Sequence, residues 1–160
     1  MYKARLIREA IEKNRRGYQA ILSPEMTNFV KAYVEFAKQV SPSCGVQEAR
    51  PRPAGSTWVA FKPAGIPKNV GLAHQLTAGF SKLFMASEAE HAEALKARFT
   101  PHLTQGVEFG VSGKSVTLSV AVPKIDPLGH SFEVEKDHVR KGIEAIDLLT
   151  KIYQRATSEG

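Results

Sequence analysis

The chain has 160 residues, 42% of them apolar and 24% charged, with a net charge of +6 at pH 7. That length suits one domain able to bury its own core, and the composition is globular rather than disordered. A single cysteine excludes an intrachain disulfide, and no apolar run approaches the roughly 20 residues needed to cross a bilayer.

Lys3, Arg5 and Arg8 open the chain without the apolar stretch of a secretory signal behind them, so a reducing cytoplasm is the expected compartment. Residues 2–21 then read as an amphipathic helix, with Ile7, Ile11, Tyr18, Ile21 and Leu22 at helical spacing. A second helix begins at Ser23-Pro24-Glu25, where Ser23 can cap and proline tolerates the first helical position. Met26, Phe29, Val30, Tyr33, Ala37 and Val40 trace its apolar stripe.

Residues 41–56 are dense in Pro, Gly and Ser and read as an exposed connection. Thr57–Phe61 reads as a short strand. Residues 71–86 fit two patterns: Leu72, Leu76, Phe80, Leu83 and Phe84 match a helix face, yet the same stretch matches two strands around Thr77-Ala78-Gly79. The two strands are favoured, because Ser87-Glu88-Ala89-Glu90 is a capping box that starts a new helix at once. That helix spans 88–99 and stops before Pro101. Val107, Phe109 and Val111, a Ser112-Gly113-Lys114 turn, then Val116, Leu118, Val120 and Val122 describe a hairpin. A closing helix is expected over 134–155.

The expected fold is α+β, a mixed or antiparallel sheet of about five strands packed by helices in the order ααβββαββα. It forms a single domain, 1–160, with a helical hairpin at 1–40, a loop at 41–56 and an α+β core at 57–160.

Known chemical signatures fail on spacing. Gly113-Lys114-Ser115 lacks the glycine five residues upstream and the following helix of a phosphate-binding loop. None of the five histidines is paired at i,i+4 for a metal. Cys44 stands in a polar loop with nothing nearby to activate it, and Gly110–Gly113 is one residue short of a nucleophile elbow. Asp126-Pro127 reads as a turn. No cofactor is implied, and no catalytic or metal-binding residue is assigned.

Charge geography is more informative. Residues 49–87 contain five basic residues and no acid, and residues 1–87 together carry +8. Arg50, Arg52, Lys62, Lys68 and Lys82 run beside Trp58, Phe61, Phe80 and Phe84, with His74 among them. Cations among aromatics can hold a single strand through phosphate contacts and stacking; the ordinary alternative is aromatics in the core and lysines in solvent. Arg50, Arg52, Trp58, Lys62, Lys68, His74 and Lys82 form the candidate nucleic-acid-binding set.

The run Gly113-Lys-Ser-Val-Thr-Leu-Ser-Val-Ala-Val-Pro-Lys-Ile-Asp126, with Phe132 and the helix after it, resembles a segment of uncharacterised bacterial proteins grouped with the PD-(D/E)XK nuclease superfamily. The stretch His74–Leu83 is also similar. Such nucleases hold Mg²⁺ with an Asp and an acid-x-Lys pair. Here Phe80-Ser81-Lys82 supplies the lysine without the acid, and no Asp precedes it. The resemblance therefore implies a catalytically silent member, and no active-site residue is carried over.

Three functions are expected in order: a non-enzymatic accessory or regulatory domain that binds an anionic partner (nucleic acid or an acidic protein) through its basic N-terminal half; a protein-interaction module, able to self-associate, that uses the 106–122 hairpin; and a small enzyme whose site joins His74, Cys44 and Asp126.

Overall fold

The computed structural model describes residues 24–42, 45–50, 58–87, 89–112 and 114–158. The helix expected over 2–21 lies outside them, as do Cys44 and Arg52. The elements run α1 (Pro24–Val40), β1 (Val46–Arg50), β2 (Trp58–Phe61), β3 (Val70–Gln75), β4 (Phe80–Ala86), α2 (Ala89–Phe99), a 3-10 turn (Thr100–His102), β5 (Val107–Ser112), β6 (Ser115–Ala121) and α3 (Phe132–Ser158).

The fold is α+β. All six strands form one antiparallel sheet in the order β1-β2-β3-β4-β6-β5. The segment expected as two strands is the β3–β4 hairpin, whose turn places Gly79 at φ +78°. The expected succession of three strands, helix, two strands and helix is present, joined by one strand not anticipated. β1 lies inside the stretch read as a loop. Its Gln47-Glu48 polarity and flanking prolines hide it, but β2 offers a ladder partner, and the pairing is bulged between Val46 and Glu48. Edge strands tolerate such sequences.

Strand alternation sorts the sheet into two faces. Val59, Phe61, Leu72, Leu83, Met85, Val116 and Leu118 are buried on the inner face. α1 packs there with Phe29, Tyr33, Phe36 and Ala37, spaced as one helical stripe. α3 crosses the same face with Val139, Ile143, Ile146, Leu149 and Ile152 buried. Phe132 locks the two helices, meeting Phe29 and Phe36 edge-on at 5.5 and 5.6 Å. α2 packs against α3 at its far end, where Phe99 contacts Tyr153 at 6.1 Å. Among the described residues, no helix is long and apolar enough to cross a membrane.

Candidate nucleic-acid interface

The outer face is built by the residues that alternate with the buried ones. Three cross-strand rows follow from the register. The first runs Trp58–Gln75–Phe80–Ala121, with Arg50 opposite Trp58 on β1. The second runs Glu48–Ala60–Ala73–Lys82–Ser119–Glu108, and the third Gly71–Phe84–Thr117–Gly110. Phe84 is exposed on this face and Trp58, Phe80 and Lys82 are half-buried, while Ala73, in register with Lys82, is buried.

The projecting groups interact with one another. Lys82 lies two residues from both Phe80 and Phe84, and its Nζ sits 5.1 Å from the Phe80 ring centroid, within range of a cation–π contact. Phe84 is 38% exposed, and its distal ring atoms occupy the space that a Cβ at Gly71 would need. Gly71 thus lets the ring lean across the neighbouring strand, the cross-strand glycine–aromatic pairing known from designed sheets.

The remaining predicted cations among the described residues, Lys62 and Lys68, lie at one end of this face. Lys62 follows the last paired residue of β2, at the Gly71–Phe84 end, and its Nζ donates to the Pro67 carbonyl oxygen, bracing the β2–β3 connection. Lys68 is exposed on that connection. At the Trp58–Phe80 end stands Lys124, exposed and packed by its stem against the Gly79 turn. Position 124 follows β6, far in sequence from the acid-poor stretch, and only the β4–β6 pairing brings it here. Glu108, exposed on β5, gives the opposite margin a negative charge.

His74 does not belong to this surface, which corrects its place in the predicted set. It pairs with Ser81, not Lys82, and points to the inner face, where it is fully buried. Its Nδ1 shares a 2.6 Å hydrogen bond with the Tyr33 hydroxyl, while Nε2 has no partner. Burial lowers its pKa to about 3 and raises that of Tyr33, so both groups are neutral near pH 7. The ring packs onto Gly142 of α3, where any Cβ would overlap it, and beside it Ser81 Oγ donates to the Gly142 carbonyl at 2.8 Å. One-residue parity decided the matter: Lys82 and His74 have opposite parity in the β3–β4 register.

Asp126 is spent on its turn, accepting from the backbone N–H groups of Leu128 (3.2 Å) and Gly129 (2.9 Å). With His74 sealed in the core, no solvent-reachable site joins the two. The reading from spacing missed one polar cluster, which joins a carboxylate to two histidines. Glu135, buried in the first turn of α3, takes His130 Nδ1 at 2.7 Å on one carboxylate oxygen and His138 Nδ1 at 3.2 Å on the other. Among the described residues, no group of three or more such side chains is arranged to hold a metal ion.

Comparison with known proteins finds no matching family model, no matching curated protein and no matching solved structure.

Proposed function

We propose that this protein is a non-enzymatic accessory domain that binds an anionic partner, nucleic acid being the class that best suits the surface, through the outer face of its sheet. The observation that carries the proposal is the grouping of Trp58, Phe80, Lys82 and Phe84 on that face, opposite α1 and α3, with Arg50 in register and Lys62, Lys68 and Lys124 at its ends. Cations give affinity for phosphate, and aromatic rings add contact area that an acidic protein does not require. The test is fluorescence anisotropy with labelled DNA and RNA across a salt series. We expect affinity to fall linearly with log salt, and Lys82→Glu to weaken binding about equally for all sequences. No binding at low salt, or a flat salt response, removes the proposal.

A second reading rests on β5. It forms one edge of the described sheet and carries Val111, which is 55% exposed, a surface suited to pairing with a strand of another protein or of a second copy. Light scattering coupled to size exclusion tests it: a strict monomer that retains no protein partner argues against an interaction module.

A further inference from the structure

Resting on the reading of the outer face as a nucleic-acid surface, we infer that the face selects single strands over duplexes, with Phe84 as a base-stacking platform held in place by Gly71. The spacing of the rings is the first argument. Phe80 and Phe84 lie four residues apart on one strand, a separation of roughly 13 Å, and Trp58 lies two strands from Phe80, roughly 10 Å away. Bases in a duplex follow one another at about 3.4 Å with their faces covered. Rings this far apart serve only bases drawn out of their stack, which a single strand supplies at little cost.

Relief and charge point the same way. Thr117, Gly110 and Ser119, small and half-buried on the β6 and β5 side of Phe84, leave room for a base beside that ring. Lys82 stands midway between the two phenylalanines, where one chain of phosphates passing from ring to ring meets it. A duplex presents two phosphate chains, and Glu108 on the β5 side repels the second. Gly71 is the device that keeps Phe84 over the sheet: a methyl group there overlaps the distal ring atoms and swings the ring away, at small cost because only a flexible end must move.

The experiment measures binding of labelled oligothymidylate, oligouridylate and a mixed-sequence duplex of equal length to the full chain, with quenching of Trp58, the sole tryptophan, as a second readout. We expect the single strands to bind more tightly than the duplex. Phe84→Ala should weaken single-strand binding by about 5- to 150-fold, the range for loss of one stacked base. Gly71→Ala should weaken it in the same direction while Phe84→Leu, which keeps apolar area without a π face, fails to restore it. Circular dichroism melts identify any variant that loses its fold, and two independent substitutions keep the test open if one does. Equal binding of duplex and single strand, or single-strand binding indifferent to both Phe84→Ala and Gly71→Ala yet abolished by Lys82→Glu, overturns the inference while leaving phosphate binding intact. Absence of binding to every probe at low salt overturns the parent reading as well.

Discussion

His74 and Tyr33 form a buried polar pair inside an otherwise apolar layer, and the sequence reading placed the histidine on the wrong side of the sheet. Its chemistry follows from that burial. An unfolded histidine titrates near 6.5, whereas in the fold the pKa is held to about 3. The unfolded chain therefore binds the extra proton first, so the stabilising contribution is complete above about pH 6.5 and is lost as the pH falls toward 3. The limiting slope is about 1.4 kcal/mol per pH unit for one group. Urea denaturation of the wild type and of His74→Gln at several pH values measures it; matching slopes for the two proteins exclude the effect. Tyr33→Phe removes the partner of Nδ1 and should cost about 1–3 kcal/mol, since a buried polar atom is left unsatisfied. Gly142→Ala pushes a methyl group into the His74 ring from a rigid helix and should cost a similar amount, about 1–3 kcal/mol, by overpacking.

At the scale of elements, the turns and caps decide where regular structure starts and stops. The β3–β4 hairpin needs Gly79 at φ +78°, a conformation that a Cβ disfavours by about 1–2 kcal/mol. An added Cβ would also stand 3.0 Å from the Val122 carbonyl oxygen. Gly79→Ala should accordingly lower the unfolding midpoint, and denaturant titration would show no change if the turn could relax freely. The start of α3 is held differently. Glu135 lies near the positive end of the helix dipole with two histidines on its carboxylate, so Glu135→Ala should destabilise by about 1–2 kcal/mol. The long helices and the β5–β6 hairpin were legible because their periods, 3.6 and 2, persist over many residues. β1 was not, because five residues flanked by prolines carry no period of their own; the neighbouring β2 supplies its pairing.

For the whole molecule, the arrangement has two sides with different tasks. Among the described residues, α1 and α3 pack on the inner face and supply the core, while Trp58, Phe80, Lys82 and Phe84 lie on the outer face. Binding through that face predicts that its charge and its rings are separable in experiment. Lys82→Glu should lower affinity for every nucleic acid and reduce the dependence on salt by about one phosphate contact, as read from a log–log salt plot. A variant with unchanged slope would place the phosphate contacts elsewhere on the surface.

Local pattern by itself determined the class of fold, the helix over 24–40, the β5–β6 hairpin and the closing helix, because periodicity and turn chemistry act between near neighbours. It also placed Trp58 and Lys82 in one acid-poor stretch. Only the tertiary structure decided which of those residues share a surface. Strand pairing turned His74 inward and Lys82 outward, set Phe84 across Gly71 from another strand, and brought in Lys124 from beyond β6. These are register effects: shifting a strand by one residue exchanges its two faces, and the register is chosen by the buried core, which no single segment contains.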